Sequence, residues 1–299
     1  MRKLFQFLHI ENVAAIIFVS PFVIGLIAFL AIPMGMSLYY AFSRFDIISP
    51  PTFAGLENFR RMTSDAQLWQ SVRVTFQFVV LSVPLRLAFA LGVAMLLFKS
   101  TKMMGIYRAM YYLPSMLGGS VAVAILWRRL FFVTGTFNNV ILEAVGLNRG
   151  FPWLADERTA IWTLILLSVW QFGSSMLIFL AGLKQIPETY YEAASIDGAG
   201  KIFTFFRITF PLITPTIFFN LIMQTIGGFL TFNSAFIITG GGPLGSTNFF
   251  ALYMYNQTFV FHNAGYAAAL AWFMLGLLAI VAGILFGTKR FWVYEGGFS

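Results

Sequence analysis

Apolar residues in this chain come in long unbroken runs, without the alternating or three-to-four spacing of a half-buried element. A helix needs about 20 apolar residues to cross a bilayer. Six stretches meet or approach that length: about 13–42, 74–98, 109–127, 159–183, 211–239 and 264–287. The pattern predicts an all-α integral membrane fold of six transmembrane helices, with residues 1–299 as a single domain. Polar segments of unequal length separate the runs. Asp46 to Gln70 carries prolines, charges and FAGLENF; Lys99 to Arg108 is short and basic; Arg128 to Arg158 is long and mixed in charge. Lys184 to Arg207 is charged yet helix-compatible, and Gly240 to Asn263 opens GGGPLGST. The run from Val13 to Phe42 follows Met-Arg-Lys, as in a signal peptide, but far exceeds an h-region of about 7–15 residues. It reads as a retained first span.

Composition agrees with the runs. The chain is 59% apolar and only 10% charged, where soluble domains sit near 25% charged because a wet surface needs charge. Its 36 phenylalanines suit a lipid-facing exterior better than an outsized core. Cysteine is absent, which removes disulfides, iron–sulfur clusters and thiol nucleophiles, and His9 and His262 stand too far apart in sequence to suggest a metal site. A net charge of +8 scattered among apolar runs fits lipid headgroups and membrane orientation, not nucleic acid. With a cytoplasmic N-terminus the inner segments carry Arg2, Lys3, Lys99, Lys102, Arg108, Lys184, Lys201, Arg207, Lys289 and Arg290. The outer segments carry Arg44, Arg60, Arg61, Arg128, Arg129, Arg149 and Arg158. The excess of basic residues inside favours both termini being cytoplasmic.

On that topology one cytoplasmic segment stands out, KQIPETYYEAASIDGAGKIFTFFRITFP from Lys184 to Pro211. Pro187 suits a first helical turn, and Glu188 there complements the helix dipole. Glu188 to Asp197 then runs as a short helix that Gly198 and Gly200 break, since glycine takes positive φ without penalty. A second helical stretch, Lys201 to Phe210, leads into Pro211 and the next span. Ala193 and Ala194 give the first helix a small, bare face, with the charge of Glu192 beside it. The residues alone allow either a docking projection or an ordinary interfacial amphipathic loop.

Glu192-Ala193-Ala194, three residues, Gly198, nine residues, then Ile208-x-Phe210-Pro211 resembles the EAA loop of binding-protein-dependent ABC transporter permeases. Phe210 stands where that pattern has leucine, one apolar residue for another. FAGLENF at 53–59, YLPSMLGGSVAVAILWRRLF at 112–131 and TGGGP at 239–243 resemble the carbohydrate-uptake branch of the family, and within it the first of two sister permeases. The resemblance implies the type I importer permease fold in a prokaryotic inner membrane. It also implies a heterodimer with a sister permease, two cytosolic ATPase subunits and an extracytoplasmic solute-binding protein. The EAA helix would sit in a cleft of the ATPase, with Glu192 meeting a basic residue there and Gly198 making the turn. Half of a translocation pathway for a carbohydrate, an oligosaccharide whose acidity stays open, is the function that follows. ATP and magnesium would then bind on the partner subunits and no cofactor on this chain.

What the sequence lacks bears on this. GGGPLGST has no lysine after Gly245, so it is not a phosphate-binding loop. No catalytic motif of the G-x-S-x-G or H-E-x-x-H kind occurs, and no acidic residue falls inside a span. Proton-coupled carriers place such groups in the membrane, which leaves a self-sufficient secondary carrier or channel as the alternative. For the solute pathway, Trp170, Gln171 and Ser174 cluster in the fourth span. Asn220, Gln224, Gly228 and Thr231 recur in the fifth at spacings of four, four and three. Small and amide residues also glue membrane helices together, so packing is the competing reading. The resemblance puts solute contacts in these two regions. Arg86 is the one cation deep in a span, with no intramembrane carboxylate to pair with.

Overall fold

The computed structural model describes residues 2–98, 103–142, 144, 146, 150–294 and 296, without the side chains of 2–12, 14, 141 and 142. Lys99, Lys102 and Arg149, and the side chains of Arg2, Lys3 and His9, therefore lie outside the described residues. The chain divides into two compact units, Met1–Ser64 with Met254–Leu275, and Asp65–Tyr253 with Gly276–Ser299.

In the first unit, α1 (Arg2–Leu26) passes through a π turn at Ile27–Ala31 into α2 (Ile32–Ala41). Phe18 is 84% and Phe29 86% exposed along this rod, a surface that only lipid or a partner protein tolerates in quantity. A two-stranded ribbon follows, β1 (Ser43–Arg44) antiparallel to β2 (Thr52–Phe53), with Ser43 opposite Phe53. Gly55 then turns the chain into α3 (Glu57–Ser64). Asn58 is buried and its Nδ2 donates to the carbonyls of Ala41 and Ser43, both at 2.9 Å. That bond satisfies a carbonyl left over at the end of α2, which explains the asparagine in FAGLENF. Between the strands, the Ser49 amide and then its hydroxyl hold the Asp46 carboxyl below the usual carboxylate range.

The second unit is built on α4 (Ala66–Leu96), whose N-cap Asp65 accepts from the amides of Gln67 and Leu68 at 3.1 Å. A cap of this kind contributes about 1 kcal/mol. The helix packs against α7 (Glu157–Trp170), α8 (Gly173–Lys184) and α11 (Phe210–Phe229), while α5 (Met104–Leu117) packs on α8. Contact is close where residues are small. A Cβ on Gly173 would lie 2.5 Å from the Tyr111 carbonyl oxygen, so only glycine lets α8 approach α5 there. The remaining helices are α6 (Val121–Leu130), α9 (Glu188–Ile196), α10 (Lys201–Thr204), α12 (Phe250–Phe259) and α13 (Ala264–Trp292). A π turn at Phe205–Thr209 joins α10 to α11 without a break, and another lies at Ala235–Thr239.

Among the described residues, four helical stretches are long and apolar enough to cross a bilayer: Ala15–Ala41, Ala66–Leu96, Lys201–Phe229 and Ala264–Trp292. Two more qualify only as bent pairs, α5 with α6 at 94° and α7 with α8 at 43°. Several expected boundaries are corrected here. The stretch expected as one helix over 109–127 breaks at Gly118–Ser120, where Ser120 caps α6 by accepting from the Val123 amide. The stretch expected at 159–183 bends at Gln171–Phe172. The fifth, expected over 211–239, starts earlier at Lys201 and leaves the helix after Phe229. The GGGPLGST segment forms a turn around buried Thr247, whose hydroxyl lies 2.7 Å from both the Gly242 carbonyl oxygen and Thr239 Oγ1.

Candidate functional site: a glycine-turned loop and an arginine-bearing cavity

The 184–210 segment folds as a helix, a turn and a second helix. Pro187 sits just before α9 with φ −59° and ψ 137°. Gly198 ends α9 in the left-handed region at φ +73°. Its amide donates to the Ser195 carbonyl at 3.1 Å, and the Ala199 amide reaches back to the Ala194 carbonyl at 2.9 Å. This pair of bonds is the Schellman arrangement, which satisfies carbonyls orphaned at the helix end and requires a positive φ. Gly200, by contrast, is extended at φ −69° and precedes α10.

Glu192 and Ala193 are exposed on α9, but Ala194 is buried against the chain's own core. The bare face expected of both alanines is thus presented by Ala193 alone, because successive helical positions point about 100° apart. Tyr191 Oη lies 3.2 Å from Thr209 Oγ1, tying α9 to the π turn. Ile208 and Pro211 are half-buried. Around Glu192 and Gly198 the loop leaves Ile196 86%, Ile202 77%, Phe206 62% and Phe203 57% exposed. So many large apolar side chains on a charged loop mark an interaction surface.

A cavity of about 200 Å³ opens between α4, α7 and α11. Arg86, Ser82, Ser168, Gln171, Gln224, Thr231 and Ser234 supply its polar lining, with Gly228, Phe78 and Leu164 among the rest. The bend at Gln171 explains how Arg86 is held. A helix end leaves carbonyls without intrahelical partners, and the Gln171 carbonyl accepts from Arg86 Nη2 at 2.5 Å and from Ser115 Oγ at 2.8 Å. Arg86 Nη2 also approaches Ser174 Oγ at 3.4 Å. Gln171 Nε2 is spent on the Gly118 carbonyl at 3.0 Å, across the break between α5 and α6. Gln224 Nε2 donates to Ser175 Oγ at 3.0 Å.

Of the residues expected on the pathway, Gln171, Gln224, Gly228 and Thr231 come together on the cavity. Ser174 stands behind it on Arg86, and Gln171 and Ser174 are separated by the bend instead of sharing one helical face. Trp170 is not among the lining residues; its ring lies 5.8 Å from that of Trp127, tilted by 38°. Asn220 is fully buried, donates to the Thr216 carbonyl at 3.3 Å and is not among the lining residues. Thr231 lies past the end of α11, so the predicted stripe is not a single helical face. The sequence reading missed Ser82, Ser168 and Ser234. Ser82 stands four residues before Arg86, the spacing of helical neighbours, and that signal was available. Among the described residues no three His, Asp or Glu side chains gather as a metal site.

An apolar, multiply helical chain with a polar cavity in its helical core and a projecting loop is a membrane permease subunit in architecture. Residues 87–288 match the family described as binding-protein-dependent transport system inner membrane component, and the chain belongs to that family. It is 50% identical over 287 residues to the probable ABC transporter permease protein YesP of Bacillus subtilis (strain 168), covering 95% of this chain and 93% of the relative. It is 34% identical to the sulfoquinovosyl glycerol transport system permease protein SmoG of Agrobacterium fabrum (strain C58 / ATCC 33970), covering 92% and 89% respectively. Among solved structures it resembles a chain of the bacterial alginate ABC transporter in complex with alginate pentasaccharide-bound periplasmic protein. That match has a TM-score of 0.80 and 19% identity, covering 94% of this chain and 95% of that one. The fold is that of a type I ABC importer permease.

Proposed function

We propose that this chain forms half of the translocation pathway of an ATP-driven importer for a carbohydrate of oligosaccharide size. A sister permease supplies the other half, and a binding protein outside the cell membrane delivers the solute. ATP is hydrolysed on two separate subunits seated against the α9–Gly198–α10 loop, which lies in the cytoplasm together with both chain termini. Glu192 meets a basic residue of the ATPase, and Ala193, Ile196 and the exposed phenylalanines supply the apolar contact. The cavity beside Arg86 belongs to the solute pathway, with Gln224 and Thr231 as hydrogen-bonding groups. One observation carries the reading: Gly198 sits at φ +73° at the end of α9, between exposed Glu192 and a run of exposed apolar side chains. A turn so specified, on a loop so apolar, is built to hold a partner in one geometry. The saccharide cargo draws support from SmoG, the 34% identical relative named for sulfoquinovosyl glycerol.

The test is reconstitution in proteoliposomes of the whole assembly, with binding protein, ATP and labelled oligosaccharides. ATP-dependent uptake that vanishes when this chain is omitted is the expected result. Uptake by this chain alone, driven by a proton or sodium gradient, would refute the reading in favour of a secondary carrier.

A further inference from the structure

Among the described residues Arg86 is the one charged side chain on the cavity lining, and no acidic residue lines it with Arg86. Its partners are neutral, the Gln171 carbonyl and the Ser174 hydroxyl, and its buried Nε has no partner. A full positive charge therefore stands in the helical core without compensation from the described residues, an arrangement that is costly in a membrane. Holding the bend does not explain it. The Gln171 carbonyl already accepts from Ser115 Oγ at 2.8 Å, and a neutral amide at position 86 could supply the second donor. What a neutral group could not supply is the charge. The rest of the polar lining, Ser82, Ser168, Gln171, Gln224, Thr231 and Ser234, consists of hydroxyls and two amides, groups suited to sugar hydroxyls.

We infer that the cavity takes an acidic sugar and that Arg86 meets its carboxylate, so the cargo is a uronic-acid oligosaccharide. The inference rests on the carbohydrate-permease reading above. A guanidinium binds a carboxylate with charge-assisted hydrogen bonds, stronger and more directional than neutral ones. Before solute enters, the charge leans on the carbonyl dipole of Gln171; when solute leaves, that dipole takes the guanidinium back.

The probes are glucuronate-, galacturonate- and mannuronate-containing di- and trisaccharides, each paired with its carboxyl-reduced counterpart, in proteoliposomes carrying the whole assembly. The wild-type assembly is expected to import at least one acidic sugar about 10- to 100-fold more efficiently than its reduced partner. Arg86→Gln is expected to erase that ratio by costing the acidic sugar far more uptake than its reduced partner, while Arg86→Lys retains part of the preference. With one binding protein used throughout, the change in ratio between variants reads the cavity and not delivery. Equal loss of acidic and reduced sugars in Arg86→Gln, as a partner carboxylate on the sister subunit would give, overturns the inference. So does a wild-type assembly that imports both sugars alike. If Arg86→Gln fails to assemble, an acidic preference that is unchanged in Arg86→Lys overturns it, and one that is reduced supports it. Absence of any ATP-dependent sugar uptake overturns the permease reading and this inference together, whereas uptake of reduced sugars alone overturns only the inference.

Discussion

Replacing Gly198 separates conformational cost from steric cost, because a Cβ built there meets nothing within 4 Å. Any effect of a side chain must then come from φ +73°. An ordinary L-residue pays about 1–2 kcal/mol to enter the left-handed region. Asparagine enters it with less difficulty, and a β-branched residue is a genuine outlier there. Valine should sit at the upper end of the range for strained backbone, about 2–3 kcal/mol. Against this stand the two turn bonds, Gly198 N–H to the Ser195 carbonyl and Ala199 N–H to the Ala194 carbonyl. At about 1 kcal/mol net each, they are cancelled or outweighed by valine and offset by half or more by alanine. The expected order of ATP-dependent uptake by the reconstituted assembly is Gly, Asn, Ala, Val, with transport lost at Gly198→Val. The level of each variant in the membrane, read by immunoblot, should stay that of wild type, since the turn lies outside the spanning stretches. If Gly198→Val transports normally, or if Asn and Val fail equally, the left-handed turn is not what the loop's function depends on.

Three further outcomes follow from the same geometry. Glu192→Lys should uncouple ATP hydrolysis from uptake more severely than Gln224→Ala: a reversed charge facing a basic partner costs several kcal/mol, a lost neutral hydrogen bond about 0.5–1.5. Solute-stimulated ATPase and uptake measured side by side in proteoliposomes would distinguish the two. The purified chain alone should neither bind nor hydrolyse ATP, and a nucleotide-binding assay on it, free of ATPase subunits, checks that directly. Gly173→Leu should lower the amount of folded chain in the membrane, because its Cβ would stand 2.5 Å from the Tyr111 carbonyl oxygen and neither backbone can yield cheaply; unchanged abundance and thermal stability would contradict that packing.

Much of the fold could be read in the sequence because an apolar run of bilayer length has few alternatives. Gly198 was legible for a similar reason: its conformation is set by residues within one turn. The features that escaped are those set by distant partners. The chain stays apolar across Gly118–Ser120, so nothing in hydropathy marks the 94° change of direction. Pro114, two glycines and a serine were local hints, yet Gln171 closes the break from 53 positions away. Ala194 faces inward because of how α9 lies on the rest of the chain, which an alanine pair cannot reveal. Asn220 had the spacing of a pathway residue, and its burial depends on neighbours that the spacing does not encode. Arg86 was visible as an isolated charge, whereas its hold on the Gln171 carbonyl arises only once α7 bends.

Loop and cavity are joined by one continuous helix, and its construction bears on how the two could act together. From Lys201 to Gln224, α10, the π turn and α11 span on the order of 35 Å at 1.5 Å per residue without leaving helical conformation. Pro215 ought to weaken this rod, since it cannot donate to the carbonyl four residues back, at Pro211. The structure fills that gap locally: Thr214 Oγ1 lies 2.6 Å from the Pro211 carbonyl oxygen and also accepts from the Tyr294 amide at 2.9 Å. The segment nearest Pro215 is thus braced from two sides. The wider π turn sits at Phe205–Thr209, where Tyr191 makes its bond to Thr209. Single π turns within α-helices frequently occur at functional sites, and here one lies between the glycine turn and the braced stretch. A displacement of α9 would therefore reach the π turn first, through the Tyr191–Thr209 bond. From there it would travel along α11 to Gln224 and Gly228, where the helix borders the cavity.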